Sequence, residues 1–129
     1  MLVLDSGGVS RLAERTRAAA ALIAAFRTEG MWPPLVPTPV LVEALCGDAA
    51  RDASANRLLK TCEVMEDVSE PLARRATYLR TRAQRGSAVE AIVVAMAEPG
   101  GSVLTSDRND LAALAALAAH ADDVVIEGV

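Results

Sequence analysis

Four carboxylates stand out by the company they keep. Asp5 closes the apolar run Leu2-Val3-Leu4, and Asp107 follows Val103-Leu104-Thr105-Ser106. Glu43 is the only polar residue between Val40 and Cys46, and Glu90 the only one between Ala88 and Ala97. An isolated ionised carboxylate in apolar surroundings is costly unless it is neutralised, paired or metal-bound. No lysine or arginine adjoins Glu43 or Glu90 in the sequence to do the pairing. If the four acids meet in one pocket they raise one another's pKa, and a divalent cation relieves the repulsion. An all-oxygen donor set selects hard ions, so Mg2+ or Mn2+ is expected rather than zinc. Each residue also has a plainer role. Ser106 or Asp107 can cap the next helix, with Asp110 favoured in its first turn. Glu90 fits a Ser-x-x-Glu capping box with Ser87, and Glu43 can point to solvent. At the level of the residues both sets of roles stay open.

The elements that must position these acids alternate between strand and helix. Leu2-Val3-Leu4 reads as a central strand. A helix is expected from about residue 9 to 28, with Leu12, Leu22, Ile23 and Phe26 on its buried side. Gly7-Gly8 reads as a tight turn, because a phosphate loop needs a further glycine or a lysine that this segment lacks. Met31-Trp32-Pro33-Pro34 leads into a short strand at Leu35-Val36. Thr38 is expected to cap a helix with Pro39 as its first residue and Gly47 as its stop. A helix over 48–61 and a strand over 63–66 follow. The helix expected over 69–85 has Ser69 as cap and Gly86 as terminator. It puts Leu72, Ala76, Leu79 and Ala83 on one side, and Arg74, Arg75, Tyr78, Arg82 and Arg85 on another. An apolar helix over 87–98, a strand over 102–105, a helix from Asp107 to about His120 and a strand over 124–126 complete the chain. This order predicts an α/β fold, a three-layer α/β/α sandwich with a central, mostly parallel sheet, as one domain spanning residues 1–129.

Composition narrows the function classes. With 52% hydrophobic residues and only 2% aromatics among 129, the core must be built from Ala, Val and Leu. The net charge of −4 argues against a nucleic-acid binder that works by overall positive charge. Acids clustered at a metal with arginines around them would still permit such a ligand. No cationic leader and no apolar run of about 18 residues is present, so a cytoplasmic protein without a membrane span is expected. Cys46 and Cys62 have no histidine neighbours and read as reduced structural thiols. His120 is the only histidine, placed where it favours a helix dipole, so Ser-His-Asp or Cys-His catalysis has little support.

Four short segments, in their order and spacing, resemble the PIN domain, and within it the VapC-type toxins of bacterial toxin–antitoxin modules. They are Leu4-Asp5-Ser6, Val42-Glu43-Ala44, Ala88-Val89-Glu90-Ala91-Ile92-Val93-Val94-Ala95 and Leu104-Thr105-Ser106-Asp107-Arg108-Asn109-Asp110-Leu111. The resemblance covers essentially the whole chain. It implies a PIN-like sheet with acids at its C-terminal edge holding Mg2+ or Mn2+ for RNA cleavage. Asp5, Glu43, Glu90 and Asp107 would then be the catalytic quartet, with Asp5, Glu90 and Asp107 on the metal. Asp110, Ser6 and Thr105 would be auxiliary. It further implies a homodimer and a small VapB-like antitoxin protein as partner. Two positions depart from the family pattern: Glu90 stands where aspartate is usual, and Gly7-Gly8 where bulkier residues are.

The chemistry expected is metal-assisted phosphodiester hydrolysis, with Asp107 or Asp5 taking the proton from water. Single-stranded RNA suits a narrow cleft better than duplex. Arg74, Arg82 and Arg85 are candidate backbone contacts, and a solvated face or an antitoxin contact is the competing reading. A catalytically impaired PIN-like binding module is the main rival. A phospho-acceptor receiver domain would need a lysine after a late strand, and Lys60, the only lysine, is misplaced for that.

Overall fold

A computed structural model of the chain describes residues 1–98 and 100–117 together with the backbone of 124–128. Its centre is a parallel sheet of five strands in the order β3-β2-β1-β4-β5. They are β1 (Leu2–Leu4), β2 (Leu35–Pro37), β3 (Glu63–Met65), β4 (Gly101–Thr105) and β5 (Val124–Gly128). Parallel strands are covered on both faces, which is why β1 and most of β4 are unbroken buried apolar runs rather than alternating ones. β1 pairs with β4 in the register Leu2 with Ser102, Val3 with Val103 and Leu4 with Leu104.

Among the described residues seven helices make the outer layers: α1 (Ser6–Ala13), α2 (Arg17–Thr28), α3 (Thr38–Ala44), α4 (Ala53–Leu59), α5 (Glu70–Ala83), α6 (Ala88–Ala97) and α7 (Arg108–Ala115). α1 packs against α2, α3 and α4, while α5, α6 and α7 pack on one another; α1 and α6 each lie against β1 and β4. The result is the expected α/β/α sandwich. Its core is aliphatic, from Leu2, Val3 and Leu4 through Val93 and Val94 to Leu111 and Leu114, with Phe26 the single buried aromatic ring. Among the described residues no helix is long and apolar enough to cross a membrane.

The chain leaves β1 in one direction through β2 to β3, then returns to lay β4 on the other side of β1. The gap between the C-terminal ends of β1 and β4 is therefore the point where strand order reverses. Open parallel sheets bind ligands there, because the helices that follow the two strands diverge and leave a crevice. Asp5 and Ser106-Asp107 are the residues that follow those two ends.

Several boundaries differ from the sequence reading. The helix expected over 9–28 is two helices: α1 starts at Ser6, and Thr16 accepts a hydrogen bond from Ala19 N (3.1 Å) to cap α2 afresh. Gly7-Gly8 is not a turn but the first turn of α1. The helix expected over 48–61 is confined to Ala53–Leu59, because Asp52 is drawn back to the loop after α3 and accepts from the amides of Cys46 and Gly47 (3.0 and 2.8 Å). Those amide bonds hold the Asp52 carboxyl below its usual range, that from Cys46 foremost. Thr38 opens α3 as a helical residue, with Pro37 at the cap position. The reading of His120 at the end of a long helix lies outside the described residues.

The glycine pair has a steric reason. A Cβ on Gly8 would lie 2.4 Å from the backbone oxygen of Leu104, and one on Gly7 would lie 2.0 Å from Ser106 Oγ and 2.7 Å from Ser106 N. Their missing side chains let the start of α1 press on the end of β4. Helix propensity alone favours alanine over glycine by about 1 kcal/mol. Gly8→Ala is nonetheless expected to lower stability by about 1–3 kcal/mol, since rigid backbone must give way. A urea midpoint that rises in this variant would show that the close approach does not exist.

Candidate functional site

At the end of β1, Asp5 is buried and caps α1, its Oδ1 accepting from Gly8 N at 2.7 Å. Its Oδ2 accepts from the Thr105 hydroxyl at the end of β4, and Thr105 Oγ1 in turn accepts from Asp107 N at 2.8 Å. One short relay thus joins both strand ends to the start of α7. Burial pushes the Asp5 carboxyl up; the bonds from Thr105, Gly8 and Gly7 pull it back, and the charge of Asp107 pushes the same way as burial.

Glu90 sits in the first turn of α6 and completes the capping box. Its Oε1 accepts from Ser87 N (3.0 Å), while Ser87 Oγ accepts from Glu90 N (3.1 Å). Its other oxygen, Oε2, is buried and has no hydrogen-bond partner among the described residues. An orphaned buried oxygen is rare, because the group loses water and gains nothing in return. Burial raises the Glu90 carboxyl, Ser87 opposes this, and Asp107 and Asp110 reinforce it.

Asp107 caps α7, accepting from Asp110 N at 3.5 Å, and Asp110 lies in the first turn of that helix. One carboxylate oxygen from each of Glu90, Asp107 and Asp110 lies within 4.8 Å of the other two. Arg85, in the turn between α5 and α6, reaches Asp110 Oδ1 with Nε at 3.1 Å and Nη2 at 3.0 Å. Three carboxylates against one guanidinium leave two negative charges uncompensated. With hard oxygen donors and a buried oxygen lacking a partner, the group fits a divalent cation of the Mg2+ or Mn2+ type.

The structure therefore brings together a set that overlaps the expected one. Glu90 and Asp107 are in it, and Asp110, expected as auxiliary, is a full member. Asp5 is not one of the three; it stands behind Asp107, joined through Thr105. Glu43 is exposed on α3 and lines a cleft of about 520 Å³ with Ser6, Ser10, Arg11, Glu14 and Ser106. That cleft adjoins the cluster through Ser106, so Glu43 faces the site's approach rather than its centre. Two features went beyond the sequence reading: Asp110 as a full member rather than an auxiliary, and its pairing with Arg85. The spacing of Asp107 and Asp110, three apart at a helix start, was the available signal for the first. The Arg85–Asp110 pair spans 25 residues and had no local signal.

The arginine side of α5 is largely engaged. Arg74 pairs with Glu70 (2.9 Å), and Arg75 makes a two-pronged bond to Glu98 (2.9 and 2.8 Å), while Arg75 and Arg82 lie 5.0 and 5.2 Å from the centre of the Tyr78 ring. Both cysteines are free, and burial pushes the Cys62 thiol up to about 11, which suits a packed thiol and not a nucleophile. No family model matches the chain, and no curated protein matches it.

Asp5 and Glu90 are both raised, so the folded state holds their protons more tightly than the unfolded chain does. Their unfavourable contribution grows as pH climbs through the carboxylate range and is complete above it. Glu90→Gln removes the charge and keeps the capping bond, since glutamine also serves at that position. In chelator at neutral pH the variant is expected to melt at or above the wild-type temperature, and the difference should shrink as pH falls toward about 4. A variant less stable than wild type at neutral pH, with the gap unchanged on acidification, would show that Glu90 carries no repulsion.

Proposed function

We propose that this chain is a metal-dependent endoribonuclease of the PIN-like type, similar to the VapC-type toxins of toxin–antitoxin modules. The observation that carries the reading is the unpartnered, buried Oε2 of Glu90, on a carboxylate that has an oxygen within 4.8 Å of Asp107 and Asp110, at the reversal point of a parallel sheet. Capping explains Oε1 of Glu90. It does not explain why a second oxygen is buried beside two like charges.

Glu90, Asp107 and Asp110 would hold Mg2+ or Mn2+. Such a cation supplies Lewis acidity, easing the deprotonation of water and offsetting charge on the non-bridging phosphate oxygens. Asp107 is the exposed member and takes the proton as water attacks phosphorus; the bond to the 3′ oxygen breaks and the proton passes to that leaving oxygen. The products are a 5′-phosphate and a 3′-hydroxyl. Asp5, with both oxygens already accepting, orients Asp107 through Thr105 rather than meeting the water. Glu43 borders the strand's approach. The same resemblance supports a cytoplasmic homodimer restrained by a small VapB-like antitoxin protein.

A PIN-like binding module without catalysis is the second reading. Arg85 favours it, because a guanidinium already on Asp110 partly replaces the cation.

Asp107→Asn separates the two. Asparagine caps a helix as well as aspartate does, so the fold should survive. Cleavage of single-stranded RNA in Mn2+ is expected from the wild type, lost on chelation, and reduced at least about 10–100-fold in the variant. Cleavage that ignores both chelator and Asp107→Asn would end the nuclease reading.

A further inference from the structure

At the corner where α5 turns into α6, a cleft of about 290 Å³ is lined by Arg80, Thr81, Gln84, Arg85 and Gly86. Its wall carries two guanidinium groups, a hydroxyl and a side-chain amide, and no carboxylate. In a chain of net charge −4 this is a local inversion of sign. The backbone is shaped for it: Gln84 and Gly86 both adopt positive φ (52° and 85°), folding the chain sharply after α5. Arg80 Nε donates to the carbonyl of Gly86 (3.3 Å) across the turn. Among the described residues no carboxylate pairs with Arg80, whereas Arg74, Arg75 and Arg85 are all paired with acids. The negative end of the α5 dipole accounts for a cation being welcome near here. It does not account for a concave site that holds a second guanidinium, Arg80, with no acid of its own beside Arg85 and its partner Asp110.

Arg85 belongs to this cleft and also touches Asp110, so the cleft and the acidic cluster share a wall. We propose that the cleft binds the phosphodiester backbone of a single RNA strand, at a phosphate flanking the one held over Glu90, Asp107 and Asp110. Its position next to a scissile phosphate rests on the nuclease reading; its anion binding does not. The forked donors of arginine match phosphate oxygens, and hydroxyl and amide groups add neutral donors around them. Contacts of this kind fix where the strand lies without reading its bases. An acidic site repels RNA, and a basic cleft beside it supplies the attraction that an acidic chain lacks overall.

The test uses the full chain and a short labelled single-stranded RNA in chelator, with affinity followed by fluorescence anisotropy across salt concentrations. Arg80 is the residue to change, because Arg85 also contacts Asp110. Arg80→Gln is expected to weaken binding for every RNA sequence alike and to lower the slope of log affinity against log salt by about 0.7. Arg80→Lys should restore most of that slope, and both variants, altered at an exposed position, should melt like the wild type. Wild-type affinity and slope in Arg80→Gln, or no RNA binding by the wild type in chelator, overturns the cleft. If Mn2+-dependent cleavage persists in that case, the nuclease reading survives alone. Binding that depends on Arg80 without cleavage in Mg2+ or Mn2+ keeps the cleft and removes the nuclease.

Discussion

The hydrogen bond from Thr105 to Asp5 is the constraint on which the rest depends. It crosses from β4 to β1 at the place where the sheet reverses its strand order, and it joins the starts of two helices. A carboxylate buried at that point loses most of its hydration, an expense that only directed donors offset. Here the donors are the Thr105 hydroxyl and the opening amides of α1. Gly7 and Gly8 then let α1 lie directly on the end of β4. The contact ties the end of β4, and through it the start of α7, to the end of β1.

Helix starts are what allow like charges to stand so close. Asp5 and Asp107 are N-caps, and Glu90 and Asp110 lie in first turns. Each carboxylate therefore sits where partial positive charge from unpaired amides favours an anion. Capping and function are thus not rivals for the same residue. At Glu90 they are divided between oxygens: Oε1 serves the capping box, and Oε2 is left without a partner. A side chain that only capped its helix would turn its second oxygen to water.

The α/β alternation and the sheet's C-terminal edge were legible because the strands are apolar runs and most caps are local. Ser69, Ser87 and Asp107 announce their helices within three residues. The break between α1 and α2 was not, since Glu14-Arg15-Thr16 contains neither glycine nor proline, and only the cap at Thr16 marks it. Gly7-Gly8 misled for the opposite reason. Glycine there answers to a β4 backbone nearly a hundred positions away, which no local rule contains. The membership of Asp110 in place of Asp5 and Glu43 was only partly legible, from its spacing to Asp107. It depends on how α6 and α7 pack, and not on how apolar each acid's neighbours are.

Arg85 shows how the two halves of the site constrain each other. Without a cation, three carboxylates within 4.8 Å would repel strongly, and one guanidinium relieves part of that strain. The relief is incomplete by charge and weakened by exposure, since more than half of the Arg85 side chain is open to solvent (56%). A partly exposed pair of this kind contributes little stability. The guanidinium also lines the basic cleft. The same side chain therefore balances one of the acids and lines the cleft proposed to take a phosphate. Arg85 thus stands at the border between the acidic cluster and the basic cleft.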